Sequence, residues 1–164
     1  MKEKIKKNIK ELGPYILILI AVLTIRTFFI TPIKVNGQSM YDTLDGTEYM
    51  LLNKMSKIER FDIVVVKANN DELIKRIYGL PGETISIENN TIYINDKKIE
   101  DAYAYGENSD FEKITLEEDE YFILGDNRAV SLDSRYIGPI KKNQIKGTAD
   151  FIIFPFSRFG KVEK

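Results

Sequence analysis

The sequence predicts a mainly β protein, an antiparallel sheet system or partly open barrel, carried behind one N-terminal transmembrane helix. Three observations predict it. The 164 residues hold one long apolar run, close to the N-terminus and preceded by lysines. Beyond it, short runs rich in Ile, Val, Tyr and Phe recur between turn signals, the pattern of strands without intervening helices. After residue 34 no apolar repeat holds the 3.6-residue period over three turns. The length suits about one domain.

The N-terminal element divides into a basic head, residues 1–11, and an anchor, residues 12–33. Residues 1–33 carry Lys2, Lys4, Lys6, Lys7, Lys10 and Arg26 against Glu3 and Glu11, whereas residues 34–164 are net acidic. Residues 12–25 hold no charge, and Phe28, Phe29, Ile30 and Ile33 continue the apolar character past Arg26. As helix, 22 residues would span roughly 33 Å, enough for a bilayer core, with Arg26 snorkelling from a turn or two before the end. A cleaved secretory signal would need small residues at a processing site, and Thr31-Pro32-Ile33-Lys34-Val35-Asn36-Gly37 contains no Ala-x-Ala pattern. A buried core helix is the other alternative, since 10–14 apolar residues suffice for one. An uncleaved anchor is favoured. Five lysines before the run predict a cytoplasmic N-terminus, with residues 34–164 outside the cell membrane.

The outer part has strand-like runs at 49–54, 61–67, 72–78, 83–88, 91–95, 120–124 and 148–156. Turn signals separate them: Ala68-Asn69-Asn70-Asp71, Pro81-Gly82, Asn89-Asn90, Asn95-Asp96 and Gly125-Asp126-Asn127. The runs flanking Asn89-Asn90 predict a hairpin. Residues 96–120 hold ten acids, three lysines and few aliphatics, and are expected to be a solvated surface excursion.

Composition narrows the chemistry. The chain has no histidine and no cysteine. That excludes a Ser-His-Asp triad, a thiol nucleophile and cysteine-ligated zinc, and leaves Lys, Asp, Glu, Tyr or a metal held by oxygen ligands to supply a base. The near balance of 24 basic and 25 acidic residues gives no sign of nucleic acid. Three stretches could carry chemistry. Residues 125–135 are dense in Asp, Asn, Ser and Arg after a strand. The bland reading is an Asx turn, but the pairs Asp126 with Arg128 and Asp133 with Arg135 could brace a loop. In 72–78, Lys75 shares a strand face with Leu73 and Ile77. It either snorkels from an edge or is desolvated, and desolvation would lower its pKa toward that of a base. Lys67 ends a strand beside a turn and is expected in solvent. Ser39 sits between a Gly-containing turn and Met40. A single serine is usually only a turn residue, but as a nucleophile it would use Lys75 as base.

Taken together, these stretches resemble type I signal peptidase, the membrane-bound serine peptidase family with a Ser-Lys dyad, in its compact Gram-positive-like form. The family's Ser-Met-x-Pro-Thr-Leu is Ser39-Met40-Tyr41-Asp42-Thr43-Leu44 here. Its Arg-Gly-Asp-Ile-Val strand is Arg60-Phe61-Asp62-Ile63-Val64, and its Lys-Arg-x-x-Gly-x-Pro-Gly stretch is Lys75-Arg76-Ile77-Tyr78-Gly79-Leu80-Pro81-Gly82. The motif Gly-Asp-Asn-Arg-x-x-Ser-x-Asp-Ser-Arg is complete at 125–135. Four boxes in order behind an anchor cover nearly the whole chain. Asp42 departs from the usual Pro, Phe61 from the usual Gly, and Gly37 stands where some members carry a serine that helps bind the oxyanion.

The resemblance implies an endopeptidase that removes N-terminal signal peptides from exported preproteins after small, Ala-x-Ala-like residues. Ser39 would be the nucleophile and Lys75 the base. Backbone donors near Gly37 and Ser39 would hold the oxyanion, Ser131 would orient the lysine, and Asp133 with Arg135 would support that loop. Ile33, Val35 and Ile74 would line pockets for small side chains. No metal or organic cofactor is called for. The implied partners are signal peptides, the lipid bilayer and a nearby export translocon. Two rivals stand beside this: a self-cleaving repressor-type Ser-Lys peptidase, and a membrane-tethered β domain that binds without catalysis.

Overall fold

The computed structural model describes residues 2–68 and 71–162, with the backbone alone for residues 2–10. Met1, the turn expected at Asn69-Asn70, and Glu163 and Lys164 at the end of the expected outer domain lie outside the described residues.

Helix α1 (Lys2–Phe28) includes one stretch, Glu11–Phe28, long and apolar enough to cross a membrane. From Leu12 to Phe28 its large apolar side chains are each more than half exposed, so it is not a core helix of this fold. The helix stops five residues short of the expected Ile33, and residues 30–34 form a strand instead. Pro32 explains the stop: it lacks the N–H that would continue the helix and biases Thr31 toward extended backbone. Arg26 consequently lies in the last helical turn. Lys54 Nζ donates to the Thr27 carbonyl (2.8 Å) and the Arg26 carbonyl (3.3 Å), placing a cation where a helix leaves carbonyls unpaired.

The strands among the described residues are β1 (Ile30–Lys34), β2 (Tyr49–Asn53), β3 (Ile63–Ala68), β4 (Asp71–Gly79), β5 (Thr84–Glu88), β6 (Thr91–Ile94), β7 (Lys97–Lys98), β8 (Phe111–Thr115), β9 (Glu120–Leu124), β10 (Ile140–Lys141), β11 (Ile145–Phe154) and β12 (Gly160–Lys161). They pair antiparallel in two sheets. The larger runs β1-β2-β11-β3-β4-β9-β10, with β12 added to β11; the smaller runs β7-β6-β5-β8. β1 and β10 end the larger path, so the barrel is not closed. The expected hairpin is present as β5 and β6, joined by Asn89 and Asn90, both at positive φ as a tight primed turn requires.

Every side chain of the Ile63–Val66 run is buried because β3 is covered on both faces. Ile63 and Val65 join Val35, Met40, Leu44 and Met50 in one core; Val64 and Val66 join Ile77, Ile123 and Ile140 in another. A third core, around Ile85, Ile87, Leu116 and Phe122, holds the small sheet.

Two strand starts differ from expectation by more than one residue. β3 starts at Ile63 rather than 61, because Phe61 takes φ 69°. A non-glycine residue there costs about 1–2 kcal/mol, which accounts for the glycine usual at this position. Its ring packs 5.5 Å from Tyr78 and 5.4 Å from Tyr103, and such aromatic contacts offset about 0.5–1.5 kcal/mol each. β11 starts at Ile145 rather than 148, running through Gly147, where a side chain would strike the Asn53 backbone.

The largest correction concerns residues 96–120, which are not a solvated excursion throughout. They supply β7 and β8, bury Leu116 and Asn108, and place Asp101 against Arg128. Low aliphatic content hid this: the few apolar residues, Ile99, Phe111, Ile114 and Leu116, all pack into the third core, and hydrogen-bonded Asp101 and Asn108 add polar burial.

Candidate active site

Ser39 lies in a tight turn between β1 and β2. Tyr41 N donates to the Gln38 carbonyl (3.1 Å) and Leu44 N to the Met40 carbonyl (2.7 Å). Met40 and Leu44 are buried anchors on either side of exposed Tyr41 and Asp42, so the turn cannot drift from the core. Gly37, two residues before Ser39, takes φ 84°, a left-handed conformation that glycine adopts without strain.

Lys75 comes from β4, 36 residues away in sequence, and its Nζ lies 2.7 Å from Ser39 Oγ and 3.0 Å from the Ile74 carbonyl. It is 2% exposed, so it does not snorkel. Burial pushes its pKa down to about 8, against the opposing charges of Asp133 and Asp126, which pull it up. At pH 7 roughly one such amine in ten is neutral, compared with about one in 3,000 at the ordinary value. Lys67, by contrast, is exposed.

The 125–135 loop closes over this pair. Asn127 N donates to the Ser39 carbonyl (3.0 Å), tying the loop to the turn. Gly125 has no room for a side chain: a Cβ there would lie 2.5 Å from the Ser39 carbonyl oxygen and overlap Ser131 Oγ. Asp133 accepts from Gly125 N (3.0 Å) and binds Arg135 through both carboxylate oxygens (2.9 and 3.0 Å), and Arg135 also donates to the Arg128 carbonyl (2.9 Å).

The other expected pair, Asp126 with Arg128, does not form. Asp126 is held bidentately by Arg76 of β4 (3.0 and 2.6 Å) and receives the Thr43 hydroxyl (2.6 Å). Arg128 turns away to Asp101, Asn108 and Tyr78. In a sharp loop, sequence separation does not fix side-chain direction, and the nearer partner is the one the sheet brings. Nor does Ser131 hydrogen-bond to Lys75: its Oγ is buried with no hydrogen-bond partner among the described residues. Arg76, Thr43 and Asp101 were missed as site residues. Arg76 and Thr43 stood inside quoted motifs; Asp101 carried no local signal.

Ser39 and Lys75 stand between two hollows. One, of about 140 Å³, is lined by Ile33 and Lys34 of β1 and Glu72, Leu73 and Ile74 of β4. That is room for about four or five waters, or for small side chains. Expected lining residue Val35 lies on the same strand face as Ile33 but deeper: it is 1% exposed within the core and lines neither hollow. The other hollow, of about 400 Å³, is flanked by Gly37, Val130 and Leu132. A buried amine touching a partly exposed hydroxyl between two hollows can do base-assisted acyl transfer.

A model of the family described as signal peptidase, peptidase S26, matches residues 9–154. Signal peptidase I of Bacillus amyloliquefaciens is 37% identical, over 99% of this chain and 98% of that protein. Signal peptidase I S of Bacillus subtilis (strain 168) is 36% identical, over 95% of each. A crystal structure of a signal peptidase I from Enterococcus faecalis V583 is 33% identical and covers 57% of this chain and 97% of its own, with a TM-score of 0.49.

Proposed function

The chain belongs to the signal peptidase family, peptidase S26, and from that membership and the contact between Ser39 and Lys75 we propose that it removes N-terminal signal peptides from exported preproteins by a Ser-Lys mechanism. Neutral Lys75 takes the Ser39 proton as Oγ attacks the scissile carbonyl. The backbone N–H of Ser39, with the Gly37 turn, faces the developing oxyanion. Lys75 then passes its proton to the leaving amine and later activates water to release the acyl group. Ser131, unpaired and beside Gly125, is available to accept from Lys75 once it is charged. Asp133 and Arg135 hold the loop, and Ile33 and Ile74 restrict the near hollow to small side chains. The observation that carries the reading is the 2.7 Å approach of a buried lysine to a serine hydroxyl in a chain without histidine.

Incubation of the detergent-purified protein with a preprotein, followed by N-terminal sequencing of the product, tests it. The expected cut follows a small residue at the end of an Ala-x-Ala-like segment; an intact preprotein would overturn the assignment. Only neutral Lys75 can accept a proton, so kcat/KM is expected to rise with pH through a midpoint near 8. A midpoint near 10.5 would mean that Lys75 is not desolvated during catalysis.

The same proposal places the helix across the cell membrane, with the lysine-rich head in the cytoplasm and the β sheets outside, beside the export translocon. Protease added to wall-stripped cells is expected to digest the β domain. Protection until lysis would reverse the orientation.

A further inference from the structure

The acidic segment between β7 and β8 touches none of the hollows around Ser39, yet it contacts β4, the serine turn and the 125–135 loop. Asp101 binds Arg128 through both carboxylate oxygens, one contact at 3.0 Å. Asn108 Oδ1 accepts from the same guanidinium (2.5 Å). Tyr78 Oη accepts from Arg128 (2.7 Å) and donates to Asp101 (2.6 Å), closing the network. The Arg128 side chain is wholly buried and that of Asp101 is 14% exposed. Burial acts to raise the Asp101 carboxyl, but the hydrogen bonds and charge of Arg128 hold it below its ordinary value.

From this network the connection to Ser39 is short. Arg128 Nε donates to the Gly125 carbonyl (3.0 Å), fixing the loop's own turn. Tyr105 N donates to the Asp126 carbonyl (2.8 Å) and Arg128 N to the Tyr105 carbonyl (3.0 Å), so the segment pairs with the loop like an added strand. The next residue of that loop, Asn127, holds the Ser39 carbonyl. Two aromatic contacts reinforce the arrangement. The Tyr105 ring meets Tyr41 of the serine turn edge-on at 5.1 Å, and the Arg76 guanidinium lies 3.7 Å from the Tyr103 ring centroid.

We propose that the 101–108 segment is a strap that sets the position of the serine turn, and that Asp101, with Tyr78 and Asn108, is a positioning residue acting through Arg128. The proposal rests on the Ser39–Lys75 reading. Slack in the strap lets the 125–128 loop shift, and the separation of Oγ from Nζ shifts with it. A reacting pair tolerates such displacement poorly, since misplacement of about 1 Å can cost a hundredfold. The substrate hollows have no strap residue in their walls, so binding should be spared.

The test compares wild type, Asp101→Asn, Tyr78→Phe and Ser39→Ala in detergent, with preprotein as substrate and folded protein quantified by circular dichroism. Asp101→Asn is expected to lower kcat per folded molecule by about 10–100-fold, and Tyr78→Phe by about 3–10-fold, with KM within twofold of wild type. Acylation by a serine-directed covalent inhibitor should slow by the same factors. Wild-type kcat per folded molecule in both variants would overturn the strap, as would a loss confined to KM. If Asp101→Asn does not fold, Tyr78→Phe, which deletes one hydroxyl, decides by the same criteria. Undiminished cleavage by Ser39→Ala would instead refute the site itself.

Discussion

Ser39→Ala is expected to reduce preprotein cleavage about a million-fold while leaving the protein folded. Residues that act as one catalytic unit show losses of that order when the nucleophile is removed, and the remaining rate over water comes from binding and oxyanion donors. The turn itself does not depend on the hydroxyl. Met40 and Leu44 anchor it from below, and the Ser39 carbonyl, which the mutation keeps, receives Asn127 N. Melting temperature should therefore stay within a few degrees of wild type. Ser39→Cys is the finer measurement. A thiol is intrinsically the better nucleophile, so partial activity is expected wherever Lys75 remains in reach. This variant also carries the only thiol in the chain, so a thiol reagent should label one site and abolish the residual activity together. Cleavage by Ser39→Ala near the wild-type rate would end the Ser-Lys assignment.

Lys75→Met should be equally inactive but more stable. The physical reason is the sign of its pKa shift. Folding lowers the lysine from 10.5 to about 8, so between those values the unfolded chain binds more protons than the folded one. Wild-type stability accordingly rises with pH across that window, and below about pH 8 the full penalty applies. A shift of this size corresponds to roughly 3 kcal/mol at pH 7. Methionine keeps most of the stem's packing and removes the penalty. It also gives up the contacts to Ser39 Oγ and the Ile74 carbonyl, worth about 1 kcal/mol each. A net gain of about 1–2 kcal/mol remains, a rise of several degrees in melting temperature at pH 7. The advantage should fade as pH rises from 8 through 10.5, above which wild-type Lys75 is neutral in both states. A melting difference independent of pH would show that burial is not what lowers this pKa. Lys67→Met serves as the control: Lys67 is exposed, and activity and stability should both persist.

Local features proved legible where the deciding contacts lie within a few residues. Alternating and continuous apolar runs located β2, β4, β5, β6 and β9 to within a residue or so, because pleating and burial act on neighbouring positions. Asn89-Asn90 marked its hairpin since the turn needs two positive φ values in adjacent residues. The Asp133–Arg135 pair formed as read, its partners being two residues apart on a turn capped by Asp133 itself. The contact of Ser39 with Lys75 was foreshadowed too. Without histidine or cysteine, a serine nucleophile would have to borrow a proton acceptor from elsewhere, and motif order singled out Lys75, whose Nζ the fold brings 2.7 Å from Ser39 Oγ.

Partner choice over long separations belonged to the tertiary structure. Asp126 could have answered Arg128 two residues on; antiparallel pairing of β4 with β9 instead carried Arg76 beneath the loop, and a bidentate buried pair resulted. Arg128, released, found Asp101 in a segment whose composition suggested only solvent. Whether Lys75 was a surface cation or a buried amine was likewise undecided by the residues beside it. Leu73 and Ile77 suit either state, and desolvation arises only when the serine turn and the 125–135 loop close over the amine from distant parts of the chain. Sequence specified which groups are present and their local spacing. Enclosure, which sets both the pKa of Lys75 and the partner of each buried arginine, depends on surfaces that exist only after the sheets have packed.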